Sequence, residues 1–167
     1  MRHVIRPLPT DSQKATMTSH CVLLIEDDPL EATLARRTLL QIDKNIDVVR
    51  LRDGAHFLEF YQKNHPVQGV SLAIMDLHMP RIDAFGVLKA LQESGTRTPF
   101  PIVMFSSSED QEEIDRAYQL GASAFVNKPT APKAYRGAME RIVEFWLTIT
   151  ITVSQSPDFI RTLLNYH

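Results

Sequence analysis

The stretch LAIMDLHMP, Leu72–Pro80, sets an aspartate directly against an unbroken apolar run and closes on a proline. Four consecutive apolar residues without alternation suit a strand covered on both faces, the pattern of a parallel sheet. A carboxylate at the end of such a strand stands where the core stops and water begins. The same arrangement recurs in CVLLIEDD, which ends in Glu26, Asp27 and Asp28. It recurs again in PIVMFSSS, ending in Ser106–Ser108, and in AFVNKP, ending in Lys128 and Pro129.

Outward from these runs, five strands are predicted: Cys21–Glu26, Ile46–Leu51, Leu72–Asp76, Ile102–Ser106 and Ala124–Asn127. Helix-period segments separate them. Asp28-Pro29-x-Glu31 opens the first, with a capping aspartate, proline at the first helical position and glutamate three residues past the cap. Phe57, Phe60 and Tyr61 mark the second, and Ala84, Val87, Leu88 and Leu91 the third. Ser108 with Gln111 resembles a capping box before the fourth, with Ile114, Ala117 and Tyr118 expected to face inward. Tyr135, Ala138, Met139, Ile142, Val143 and Trp146 form the stripe of the fifth. Strands alternating with helices predict an α/β fold with a parallel sheet and right-handed crossovers.

The chain has 167 residues and a formal net charge of −2, with no basic run, so it offers no electrostatic footprint for nucleic acid or an anionic membrane. No apolar run approaches spanning length. Cys21 is the single cysteine, so no internal disulfide forms and a cytoplasmic location is expected. Residues 1–20, with two prolines and many small polar side chains, read as a flexible tail; 21–147 form the domain, and 148–167 a C-terminal extension.

Ligands of an open parallel sheet bind beyond the carboxyl ends of its strands. Glu26, Asp27, Asp76, Ser106 and Lys128 share that address. Carboxylates so close repel one another unless a cation intervenes, and hard oxygen donors with open positions suit Mg²⁺ completed by a phosphate. A hydroxyl and an ammonium suit the remaining phosphate oxygens. The set reads as metal-assisted phosphoryl chemistry centred on a carboxylate.

The blocks LLIEDDP, IMDLHMPRID, IVMFSSS and FVNKP resemble the signatures of the receiver domain of two-component response regulators, over roughly Cys21 to Leu147. The resemblance implies a flavodoxin-like (βα)5 fold with strand order 2-1-3-4-5. It places the phospho-acceptor on Asp76, and the Mg²⁺ ligands on Asp27, Asp76 and the His78 carbonyl, with Glu26 holding metal water. The switch hydroxyl falls on Ser106, the phosphate-binding lysine on Lys128 and the rotating aromatic on Phe125. A sensor histidine kinase is the implied partner, and the protein itself is expected to be no enzyme. Ala84 stands where the family usually has glycine, which raises the question of strain there.

No output domain follows, so a single-domain regulator signalling through its α4-β5-α5 surface is expected. RIVEFWL at the end of the fifth helix gathers Phe145, Trp146 and Leu147, an apolar cluster read as a homodimer interface with the extension as an arm. This segment is similar to that of single-domain regulators paired with bacterial phytochrome kinases. Other readings compete with this one, among them a nucleotide-binding domain, which would want a Gly-rich phosphate loop that the sequence lacks. A haloacid-dehalogenase-type phosphatase needs an acid two places after its nucleophile, where His78 stands. A receiver-like interaction module that takes no phosphate is the alternative.

Overall fold

The computed structural model describes residues 20–65, 67 and 69–149; the expected tail and most of the C-terminal extension lie outside them. The elements run β1 (His20–Ile25), α1 (Pro29–Ile42), β2 (Ile46–Leu51), α2 (Gly54–Lys63), β3 (Val70–Met75), α3 (Ala84–Glu93), β4 (Ile102–Ser106), α4 (Gln111–Gln119), β5 (Ala124–Asn127) and α5 (Pro132–Val143). A π-helical turn, Glu144–Ile149, continues α5. The five strands form one sheet in the order β2-β1-β3-β4-β5, every neighbouring pair parallel. This is the flavodoxin-like architecture expected from the sequence.

The near-continuous apolar strands are buried on both faces because each face feeds its own core. Leu23 and Ile25 of β1, Met75 of β3 and Met104 of β4 pack with Phe57, Phe60, Val87 and Leu88 of α2 and α3. Val22 and Leu24, Ile74, and Val103 and Phe105 pack on the other side with Leu39 of α1 and Met139 and Ile142 of α5. Each large side chain removed from water this way contributes about 1.5–3 kcal/mol. Cys21 lies in the first of these cores. Burial, with Asp47 adding, pushes its thiol up to about 12, so it packs as an inert small side chain. Among the described residues, no helix is long and apolar enough to cross a membrane.

Glu26, Asp76 and Lys128 are each pinned one step beyond a strand end. The Glu26 N–H donates to Leu51 O at 3.1 Å, the Asp76 N–H to Ile25 O at 3.0 Å and the Lys128 N–H to Ser106 O at 2.7 Å. β1 and β3 therefore stop just short of the predicted ends, at Ile25 and Met75, while their ladders hold the next residue in place.

The β3–α3 loop is fastened to α2. Asp53 caps α2 by accepting the His56 N–H at 2.9 Å, and its other oxygen accepts from Arg81. Burial alone would raise the Asp53 pKa; the Arg81 and His56 hydrogen bonds outweigh it and hold the carboxyl below its usual value. Arg81, not Ala84, carries the left-handed backbone, with φ 63°. Ala84 is the buried first residue of α3, behind the Asp83 cap, so the missing glycine introduces no positive φ.

Helix α4 departs from its sequence reading. Only Ala117 is buried, Tyr118 is 49% exposed, and Asp110 caps the helix where Ser108 was expected to. The Tyr118 hydroxyl instead accepts the Phe125 N–H at 3.0 Å, along the edge strand β5.

Gly54 marks the tightest approach in the fold. Its N–H donates to Ile82 O at 3.1 Å, and a Cβ there would lie 2.4 Å from that oxygen and 2.5 Å from Val87 Cγ2. Gly54→Ala must push the β3–α3 loop off α2. We expect it to cost about 1–3 kcal/mol, the usual range for overpacking, read as a lower urea midpoint at unchanged slope. An unaltered midpoint would show that the loop gives way freely.

Candidate functional site

Because β1 and β3 are neighbours at the centre of the sheet, their ends bring Glu26, Asp27 and Asp76 together. One ligand oxygen from each lies within 4.8 Å of the others. Lys128, from the end of β5, reaches the same point. Its ammonium lies 3.0 Å from Glu26 Oε2, 3.0 Å from Asp76 Oδ1 and 2.6 Å from Glu31 Oε2. The Lys128 side chain is only 11% exposed, and its ammonium lies over the Phe105 ring, 5.7 Å from the centroid.

The charges shape one another. Burial raises the Glu26 pKa, and the Asp76 charge adds to this, against the lowering effect of Lys128. Burial works to deprotonate Lys128, but the hydrogen bonds it donates to Glu31 and Asp76 and the charges of Asp76 and Glu26 reverse that and raise its pKa. At neutral pH the lysine is a fixed cation.

Both oxygens of Asp76 are oriented. Oδ1 faces Lys128, and Oδ2 accepts the His78 N–H at 3.2 Å. The carboxylate is 15% exposed, rigidly held yet open to an incoming group. The His78 ring turns to Glu113, 3.4 Å away, and Glu113 also accepts from Ser108 Oγ at 2.5 Å. The β3–α3 and β4–α4 loops are thus tied across the rim by a residue of α4.

Ser106 is buried, and its hydroxyl accepts the Ser108 N–H at 3.2 Å. Phe125 is half-buried against the α2/α3 side of the core. Of the proposed interface residues, Phe145 is 51% exposed and stacks edge-on with the half-buried Trp146 at 4.8 Å. Leu147 is a correction: four residues past Val143, it continues the inward stripe of α5 and is buried in the protein's own core, so it cannot face a second molecule.

Two contributors escaped the sequence reading. Arg50 of β2 donates to the carbonyls of Glu26 and Asp27, at 3.0–3.2 Å, and so braces the backbone of the acidic turn. Glu31, which the sequence pattern marks as a capping residue, instead contacts the Lys128 ammonium. No sequence signal marks an arginine that acts on main-chain oxygens.

The donor set fits a hard divalent cation: three carboxylates, ranging from the buried Glu26 to the solvent-open Asp27, converge from two strand ends with one oxygen of each close to the others.

Comparison with known proteins agrees with this geometry. The family model of the response regulator receiver domain matches residues 22–140, and the chain belongs to that family. It is 24% identical over 134 residues to response regulator Rcp1 of Synechocystis, covering 78% of this chain and 91% of that protein. The phosphorylated cyanobacterial phytochrome response regulator RcpA superposes with a TM-score of 0.71 at 23% identity, over 79% of this chain and 96% of its own. The Mn²⁺-bound form of Rcp1 gives 0.68 at 21% identity, over 80% and 99%.

A cation bound only by the folded state must stabilise it. Mg²⁺ or Mn²⁺ at a hundred times its dissociation constant should add about 2.7 kcal/mol to the wild type and much less to Asp27→Asn. Thermal melts with and without the ion check this; equal shifts in both proteins would remove Asp27 from the ligand set.

Proposed function

We propose that this receiver-family chain is a response regulator that takes a phosphoryl group from a sensor histidine kinase onto Asp76, in a Mg²⁺-dependent reaction. The observation that carries the reading is Lys128 bound to an oriented, rim-exposed Asp76 beside two further carboxylates. Glu26, Asp27, Asp76 and the His78 carbonyl are the groups that would hold the ion. When bound, Mg²⁺ supplies positive charge for the oxygens of the transferring group.

The residues themselves do the rest. An Asp76 oxygen attacks phosphorus in line; the O–P bond forms as the P–N bond to the kinase histidine breaks, leaving an acyl phosphate and a neutral imidazole once that ring is protonated. Lys128 offers a fixed ammonium to a phosphoryl oxygen. Ser106 would turn its hydroxyl from the Ser108 N–H to another. Phe125 would then pack further inward, altering the α4-β5-α5 surface. α4 is suited to such a shift because Ala117 alone anchors it in the core.

A shift from 1:99 to 99:1 needs about 5.5 kcal/mol of differential stabilisation. One charge-assisted hydrogen bond from Ser106 supplies about 1.5–3 kcal/mol, so Lys128 and the changed surface must provide the remainder.

The partner we favour is a light-regulated kinase of the phytochrome type, by analogy with RcpA, which is described as a phytochrome response regulator. We also propose a homodimer. Phe145 and Trp146 border a groove of about 1250 Å³ between β5 and α5, an apolar surface of the kind that covers itself in a two-fold pair.

Intact mass after incubation with a small acyl-phosphate donor tests the chemistry. A single phosphoryl adduct is expected in the wild type with Mg²⁺, and none without the ion or in Asp76→Asn. No adduct from either the small donor or a purified kinase would turn the reading to a receiver-like interaction module that takes no phosphate.

Light scattering over a dilution series tests the pair. A dimer that Phe145→Ser weakens at least tenfold is expected; monomer at every concentration would exclude it.

A further inference from the structure

Glu31 belongs to the site rather than to the helix cap. In a capping box, the glutamate three residues past the cap reaches back to the cap residue's own N–H. Here that N–H, of Asp28, already donates to Glu26 Oε1 at 3.1 Å. The Glu31 backbone is served by Asp28 Oδ1 at 3.0 Å, and its carboxylate is released toward Lys128. At 2.6 Å this is the shortest of the three contacts to the ammonium.

A lysine ammonium has three donors and no more. Glu26, Glu31 and Asp76 take all three. A phosphoryl oxygen arriving at Asp76 therefore meets a saturated Lys128, and one carboxylate must let go. Asp76 carries the group. Glu26 is 7% exposed and remains bound to the Asp28 N–H. Glu31 is 51% exposed, so water can take over its oxygens at little cost.

We infer that Glu31 is a displaceable counter-ion of Lys128: it occupies the third ammonium donor in the resting state, competes with the incoming phosphoryl oxygen, and so slows the loading of Asp76. It is a positioning residue, acting through Lys128. The inference rests on Asp76 as phospho-acceptor.

The test compares wild type, Glu31→Gln and Glu31→Ala with a small acyl phosphate and Mg²⁺, following the phosphorylated fraction by intact mass across donor concentrations. Losing the competitor should lower the half-saturating donor concentration up to about fivefold, the factor a half-exposed ion pair supports, with the limiting rate little changed. A merely loosened α1 would not improve loading. Equal or slower loading in both variants overturns the inference.

A wild type that takes no phosphate would fail the receiver reading instead. Glu31 is then judged on the Lys128 ammonium ¹⁵N resonance, whose proton exchange with water three acceptors should slow. Faster exchange in Glu31→Gln supports the role; unchanged exchange overturns it.

Discussion

Three carboxylates meeting within 4.8 Å need positive charge among them, and in the resting protein Lys128 supplies it. Much of the architecture follows from that requirement. Two of the acids come from β1 and one from β3, which only a sheet with those strands adjacent can bring together. The lysine comes from β5, two strands away from β3. It reaches the acids from a backbone pinned to Ser106, with its ammonium over the Phe105 ring. A shorter or more mobile side chain in that place would leave the acids to repel one another.

The site combines a stiff floor with a looser wall. β1 and β3 are buried along nearly their whole length, and packed strands of this kind do not shift for a small change in charge. The β3–α3 loop is fixed from outside by Asp53, Gly54 and Arg81. On the other side, α4 gives one buried residue to the core and is held to its neighbours by polar contacts, among them Tyr118 to Phe125 and Glu113 to His78 and Ser108. Such contacts can be exchanged for water, whereas a packed leucine cannot leave the core without a cost of about 1.5–3 kcal/mol. The rearrangement proposed for this protein would thereby fall on α4 and β5.

The strands and the principal acids were legible because the signal is one-dimensional: an apolar run, then a polar residue at its end; the strand order came only through the resemblance to receiver domains. Ile46–Leu51, Ile102–Ser106 and Ala124–Asn127 match the observed strands to the residue. What the sequence hid depends on how elements rotate against each other. Tyr118 lies on the pattern of an inward face, yet α4 is turned so that Ala117 alone is buried and the tyrosine serves the edge strand. Leu147 looked like surplus apolar surface, but it continues the stripe of α5 into the core. Arg50 was invisible because its partners are main-chain oxygens 23 and 24 positions away.

Glu31 shows the same limit in sharper form. Asp-Pro-x-Glu is a sound helix-start signal, and the helix does start there, with Asp28 as its cap. The local rule fails only in its last clause, because Glu26 reaches the cap N–H first. Glu26 is drawn to that place by its fixed backbone, itself held by Leu51 and Arg50. The constraint that assembles the acids therefore also frees Glu31. A helix-capping residue is turned into the third carboxylate on Lys128 and, with Asp27, the fourth acid of the site. With four acids to one ammonium, the resting site retains excess negative charge, which favours an arriving cation and would oppose the phosphoryl group proposed for Asp76 until that cation is in place.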